Sequence, residues 1–401
     1  MKTLDKGVCA PKGFHAAAVA AGIKKPDATR LDCAMIASDA PAAVAGVFTT
    51  NLVQAAPVRY CREACERGVA RAIVANSGNA NACTGDQGYA DVLATAALAG
   101  RLIDAPPEQV CVCSTGVIGV PMPMDRLLRG VEQCAAKLSD QNGGDAARAI
   151  MTTDTVPKEI AAEIPLGAGA VRIGAIAKGA GMIAPNMATM LCFITTDVAV
   201  DADNLQSLLQ KAVAISFNCI CVDNDMSTND TALCLANGRS GVSLLPGTVD
   251  FERFGDALNE ICLSLAQALV RDGEGATKFI AIIVSGAATD ADAKRIAASV
   301  AKSQLCKTAF YGQDANWGRI AAAAGYSGAR FDPAGLDLHI QGVHVLAQGQ
   351  PTAYSEADVQ ALMKAPEIEV RISLREGAGA ATFWTSDLSL DYIKINADYR
   401  T

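Results

Sequence analysis

A chain with only three histidines, His15, His339 and His344, has few routes to acid–base catalysis. It contains no Gly-x-Ser-x-Gly turn and no His-Glu-x-x-His helix, so neither an elbow-mounted serine nor a zinc-bound hydroxide is signalled. His339 and His344 fall in a strand pair and read as structural. Cys111-Val-Cys113 and Cys219-Ile-Cys221 place each pair on one strand face, yet Cys-x-Cys is not zinc-knuckle spacing and no histidine stands nearby. No metal site is expected. Gly167-Ala-Gly169 followed by Gly174 lacks the third glycine of a dinucleotide turn, because Arg172 takes its place, and no P-loop lysine pattern occurs. What remains is a threonine hydroxyl. It is a weak nucleophile until a base takes its proton, and a cut that makes the threonine an N-terminus supplies that base as its own α-amine, with a pKa of about 8.

The most unusual segment is Ala177-Lys-Gly-Ala-Gly-Met-Ile-Ala-Pro-Asn-Met-Ala-Thr-Met190. Glycines, a proline and an asparagine interrupt apolar sequence, which predicts a buried irregular loop whose backbone polar groups must all find partners. Taken alone, Thr189 is a β-branched residue opening a strand.

Around this loop, strand-like runs alternate with helix-like ones. Ala70–Asn76 and Gln109–Ser114 read as strands, each followed by a helix over Asp86–Ile103 and Asp125–Leu138. Met190–Val198 reads as a strand, Asp201–Ile215 as a capped helix, Phe251–Arg271 as a long amphipathic helix, Lys278–Ser285 as a buried strand, and the last 35 residues mostly as strands. The order is mixed, without a regular βαβ repeat, so an α/β fold of layered mixed sheets packed with helices is expected. There is no internal repeat and no low-complexity linker.

The 401 residues are 51% hydrophobic and 19% charged, with 34 basic and 42 acidic side chains and a net charge of -8. With mean hydropathy +0.22, this is the composition of a large folded core and not of a disordered chain. Basic residues are scattered, which disfavours nucleic acid. Charged residues or glycines interrupt every apolar run before membrane-spanning length, and Met1–Lys12 leads into no signal-peptide pattern, so a cytoplasmic location is expected. Most of the 14 cysteines sit in apolar runs, among them Cys192, Cys219, Cys234 and Cys262, and read as reduced core thiols.

Lys178-Gly-Ala-Gly-Met-Ile-Ala-Pro-Asn-Met-Ala-Thr-Met-Leu191 resembles the self-cleavage segment of the ornithine acetyltransferase family, the glutamate N-acetyltransferases of arginine biosynthesis. Ala45-Gly-Val-Phe-Thr-Thr-Asn51, Asn76-Ser-Gly-Asn-Ala-Asn-Ala-Cys-Thr-Gly85, Cys113-Ser-Thr-Gly-Val-Ile-Gly119 and Met151-Thr-Thr-Asp-Thr155 are similar to that family's sequence. So are Ser227-Thr-Asn-Asp230, Asp272-Gly-Glu-Gly-Ala-Thr-Lys278, Asn316-Trp-Gly-Arg-Ile320 and Ile395-Asn-Ala-Asp-Tyr-Arg-Thr401, in the family's order. Asn224 and Met226 stand where the family more often shows Gly and Thr, and Pro121-Met-Pro123 replaces a more leucine-like pattern.

The resemblance implies cleavage between Ala188 and Thr189, giving an alpha chain (1–188) and a beta chain (189–401) intertwined in one body of ornithine-acetyltransferase/β-aminopeptidase-like architecture. It further implies that Thr189 is the nucleophile and that Thr115 and Gly116 form the oxyanion hole. Thr152, Lys178, Thr189, Glu274, Asn396 and Thr401 would bind substrate. Acetyl would pass from N-acetylornithine to glutamate through acetyl-Thr189 without a cofactor, with acetyl-CoA a candidate further donor, in a heterotetramer of two alpha and two beta chains. The alternatives are a self-cleaving aminopeptidase or amidase of the same architecture, and a non-enzymatic amino-acid-binding protein. Acceptor dependence separates the first from an acetyltransferase, and chain cleavage excludes the second.

Overall fold

The computed structural model describes residues 1–27, 29–184 and 190–398. Ala188, Thr189 and Thr401 lie outside the described residues. The strands among the described residues are β1 (Lys2–Leu4), β2 (Phe14–Val19), β3 (Cys33–Phe48), β4 (Val69–Asn79), β5 (Val110–Val117), β6 (Lys158–Leu166), β7 (Gly169–Lys178), β8 (Leu191–Thr196), β9 (Ile220–Cys221), β10 (Thr231–Ala236), β11 (Phe279–Ala287), β12 (Asp337–Ile340), β13 (Val343–Ala347), β14 (Gln350–Pro351), β15 (Glu367–Ser373) and β16 (Gly379–Ser386). The helices are α1 (Ala56–Glu66), α2 (Gly85–Leu102), α3 (Met124–Ala136), α4 (Gly143–Ala149), α5 (Ala202–Ile215), α6 (Val249–Arg271), α7 (Asp290–Lys302), α8 (Gln304–Tyr311), α9 (Trp317–Gly325), α10 (Glu356–Leu362) and α11 (Leu390–Asp398).

Among the described residues the strands form two mixed sheets. The larger runs β1-β6-β7-β8-β10-β3-β4-β5, with β2 also on β3; the smaller runs β14-β13-β12-β15-β11-β16-β9. Central strands bury both faces, because successive side chains point to opposite sides. In β8, Leu191 and Phe193 enter a core shared with α1 and α4, whereas Cys192 and Ile194 enter one shared with α5 and α6. β3 carries extra residues between Ala37 and Ala42 relative to β4, a bulge around Asp39 and Pro41. Beyond the bulge, β3 pairs with β4 again at Ala42 and Ala43, while its other edge pairs with β10 from Ala43 to Phe48.

Helices of the second half start where a side-chain oxygen can take a free backbone N–H. Asp201 caps α5 through Asn204, Thr248 caps α6 through Phe251 and Thr289 caps α7 through Asp292. In α6, Phe254, Leu258, Ile261, Leu265 and Leu269 recur at helical spacing and are buried. Each such side chain contributes about 1.5 to 3 kcal/mol of burial.

The strand reading of the last 35 residues holds for β15 and β16 only; Leu390–Asp398 is a helix. None of its residues is buried; Leu390, Ile393 and Ala397 recur at helical spacing, but Ile393, Ile395 and Ala397 also alternate as in a strand. All 14 cysteines are unpaired, and twelve are buried. Burial pushes thiols such as Cys262 up to about 12, which leaves them inert. Cys83 is the exposed exception to the core-thiol reading. His339 and His344 face each other across β12 and β13 with rings stacked at 4.2 Å.

Phe193 is fully buried at the middle of β8. Phe193→Ala should lower the unfolding free energy by about 3 to 5 kcal/mol, read from the denaturant midpoint at unchanged slope. A loss below about 1 kcal/mol would mean that this core relaxes around the cavity.

Candidate active site

The parallel strands β4 and β5 end side by side, Ser77 opposite Thr115 and Gly78 opposite Gly116. Gly116 has φ +133°, and a Cβ there would lie 2.4 Å from the Gly78 carbonyl carbon. Only glycine fits. Thr115 is buried, and its Oγ1 accepts a long hydrogen bond, 3.4 Å, from Lys178 Nζ at the end of β7. That bond occupies a lone pair and leaves the threonine hydrogen free to donate elsewhere.

Lys178 is itself buried, and burial lowers its pKa against the attraction of Asp154, Asp230 and Glu274. Asp154 accepts from Lys158 Nζ at 2.7 Å, Gly179 N at 2.7 Å and Thr152 N at 3.0 Å. Burial opposes its charge, but Lys178, Lys158 and the Gly179 N–H outweigh burial and hold the carboxyl at about 2. Lys158 also reaches Asp272 at 2.5 Å, so one buried chain of charge joins the 152–158 loop, the start of the 179–184 segment and the loop after α6.

The 179–184 segment is fixed from the other side. Asp223 accepts from Met182 N at 2.6 Å, Ile183 N at 2.8 Å and the Tyr392 hydroxyl at 3.2 Å. Burial raises the Asp223 pKa despite these bonds. Glu274 N donates to Ala180 O at 2.8 Å, and a Cβ on Gly181 would sit 2.4 Å from the Glu274 carboxyl. Asn396 of α11 donates to Glu274 Oε2 at 2.8 Å.

Beyond residue 189, the chain is gripped as it enters β8. Met190 N donates to Asp230 Oδ1 at 2.9 Å, and Thr231 N donates to Met190 O at 3.1 Å. Asn229 Nδ2 donates to Ala80 O at 2.6 Å and Ser114 O at 2.8 Å, tying the start of β10 to the ends of β4 and β5.

Six expected site residues, Thr115, Gly116, Thr152, Lys178, Glu274 and Asn396, line one pocket although the sequence scatters them over 282 positions. Sequence reasoning left Asp154, Asp223, Asn229, Asp230 and Tyr392 without roles. Asp154, Asn229 and Asp230 lie within motifs quoted above, which was the available signal; Asp223 and Tyr392 carried none. The departure at Asn224 is absorbed locally: its φ is +73°, a conformation asparagine tolerates nearly as well as glycine. Among the described residues no cluster of three or more His, Cys, Asp or Glu side chains could hold a metal ion, and no helix is long and apolar enough to cross a membrane.

Hydroxyls, a strand-end glycine and a desolvated lysine gather around an acidic pocket on a layered α/β frame. The model of the ArgJ family matches residues 15–401. The chain is 51% identical over 402 residues to the arginine biosynthesis bifunctional protein ArgJ of Symbiobacterium thermophilum, covering 100% of both chains. It is 52% identical over 393 residues to the ArgJ bifunctional protein of Geobacter sulfurreducens, covering 97% of this chain and 99% of that one. The crystal structure of the ArgJ bifunctional protein from Bacillus halodurans, 42% identical, superposes with a TM-score of 0.51 over 52% of this chain and 98% of that chain. The protein belongs to the ArgJ family and is an acyltransferase of arginine biosynthesis.

Asp154 yields a pH prediction. Its folded pKa, about 2, lies below the ordinary 3.8, so its stabilisation is fully present above pH about 4 and is lost as pH falls through about 2. The amount is about 2 kcal/mol. Asp154→Asn should flatten that acid loss and cost about 3 to 5 kcal/mol at neutral pH by leaving buried lysines undercompensated. Urea unfolding of both proteins over a pH series checks it; parallel curves would contradict it.

Proposed function

We propose that this chain cuts itself between Ala188 and Thr189 and then uses Thr189 to carry an acetyl group from N-acetylornithine to glutamate. The observation that carries the proposal is the convergence of Thr115, Gly116, Thr152, Lys178, Glu274 and Asn396 on one pocket, beside the point where residue 190 enters β8. Self-cleavage begins with attack of the Thr189 hydroxyl on the Ala188 carbonyl. The resulting ester is hydrolysed by water, which frees the hydroxyl and an α-amine to serve as its base.

In the transfer reaction, the free Thr115 hydroxyl hydrogen and the Gly116 N–H meet the oxyanion of the tetrahedral intermediate. Glu274, held by Asn396, pairs with the substrate ammonium. Lys178 and the polar groups of Asn396 and Thr401 hold the amino-acid carboxylate, and Thr152 closes the pocket wall. Acetyl-CoA serves as a second acetyl donor, in keeping with the "bifunctional" in the relatives' names. The two fragments, 1–188 and 189–401, assemble as a heterotetramer in the cytoplasm. The extent of the Bacillus halodurans chain supports this division. It aligns over nearly its whole length yet spans 52% of this chain, about the share of a 213-residue fragment in 401.

Intact-mass measurement of the purified protein should find two chains of 188 and 213 residues, and Thr189→Ala should remain whole. A wild type at full mass would overturn the reading. Glu274→Gln should lower kcat/KM for N-acetylornithine about ten- to a hundredfold, the loss of one charge-assisted hydrogen bond. Unchanged kinetics would remove Glu274 from the substrate.

A further inference from the structure

The two amino acids that exchange the acetyl group share an α-amino-acid head and differ in the sign of their side chains: ornithine ends in an ammonium, glutamate in a carboxylate. A pocket charged to attract one repels the other. The cavity of Thr115, Gly116 and Glu274 has the sign for ornithine, because Asp223 and Asp225 line it too. Among the described residues Lys178 is its one Lys or Arg, and the proposed function gives that lysine to the α-carboxylate. The side chain of glutamate is left without a partner there.

A second cavity, of about 310 Å³, has the opposite sign: Lys24, Lys25, Arg30, Ser77, Gly78 and Thr152 line it. Asp32 is also on its wall, but its two oxygens accept the backbone N–H groups of Ala21 and Ile23, each at 2.6 Å. Thr152 borders both cavities. Ser77 and Gly78 lie opposite Thr115 and Gly116 on the adjacent strand, one strand spacing away, about 4.8 Å. Glutamate, with two methylenes before its carboxylate, can cross that interval. Arg30 stands at the shared wall, where one guanidinium N–H donates to Thr152 O at 2.9 Å and the remaining donors of the fork can still take a carboxylate. The loop that carries the cations is seated on the fold. Arg126 donates to Gly22 O at 2.7 Å, Ser77 N donates to Asp32 O at 2.9 Å, and Lys24 packs so near Gly78 that a Cβ there would fall 2.9 Å from the lysine Cβ.

We propose that this second cavity is the side-chain subsite of the acceptor, in which Arg30 and Lys25 take the γ-carboxylate of glutamate while Glu274 takes the ammonium of ornithine. The proposal rests on the acetyl transfer from N-acetylornithine to glutamate described above. Both substrates keep the α-carboxylate on Lys178, and their side chains part at the first torsion, each toward the cavity of opposite charge. One acyl-transfer centre thus serves a cationic donor and an anionic acceptor in turn without rebuilding its walls.

The test reads the two half-reactions separately. When ornithine leaves before glutamate enters, kcat/KM for each substrate reports its own half-reaction. Arg30→Gln should lower kcat/KM for glutamate about ten- to a hundredfold and that for N-acetylornithine far less. Arg30→Lys, which keeps the charge, should recover part of the loss. The preference for glutamate over glutamine, its neutral counterpart, should fall in Arg30→Gln by a similar factor. An unchanged preference, or equal losses for glutamate and N-acetylornithine, would leave Arg30 as a support for Thr152 and overturn the proposal. A loss confined to reactions supplied with acetyl-CoA would assign the cavity to a phosphate of that donor and overturn it as well. A wild type that forms no acetylglutamate from N-acetylornithine would instead remove the underlying function, an outcome distinct from these.

Discussion

The site depends on a carboxylate that the fold has buried and surrounded with donors. Asp154 touches Lys158, Gly179 and Thr152, and through Lys158 it reaches Asp272. Without that negative charge, Lys178 and Lys158 would be two like charges desolvated close together, and burial and repulsion would lower the Lys178 pKa further. The same contacts join segments on either side of residue 188. A chain cut there would keep its halves together through buried charge as well as through the pairing of β7 with β8.

From that anchor the geometry of the pocket follows. β4 and β5 run parallel and deliver Thr115 and Gly116 at their ends. β7 delivers Lys178 opposite Leu191, and β10 grips residue 190 through Asp230. Rigid strands thus set Thr115, Gly116 and Lys178, while loops and the last helix supply Glu274 and Asn396; under the proposed reading the former face the reacting carbonyl and the latter the rest of the substrate. This division suits an enzyme whose reaction needs fixed donors and whose substrates exchange during the cycle.

Much of this was legible before any coordinates. β8 showed as an apolar run because both its faces are buried, β11 because one face is buried and the other partly covered, and α5 showed its start through Asp201. The final helix did not show, because Ile393, Ile395 and Ala397 alternate as in a strand as readily as Leu390, Ile393 and Ala397 recur as in a helix. Asp154 and Lys158 are spaced as helix neighbours, yet Asp154 lies in the loop before β6 and Lys158 is the strand's first residue, so spacing alone could not reveal that they pair. Tyr392 and Asp223 meet only in three dimensions, 169 positions apart, and no local pattern encodes that contact. The proposed nucleophile, Thr189, was visible only through resemblance, since a threonine that reads as opening a strand carries no other signal.

The central claim is that one hydroxyl, that of Thr189, holds the acetyl group between donor and acceptor. The most direct measurement is the intact mass of the 189–401 fragment after brief incubation with N-acetylornithine and no glutamate. The account predicts a gain of one acetyl group on that fragment, with ornithine released in equal amount, and loss of the added mass when glutamate is supplied. A fragment whose mass never changes while acetylglutamate forms only with both substrates present would contradict it, because the acetyl group would then pass directly between two bound substrates.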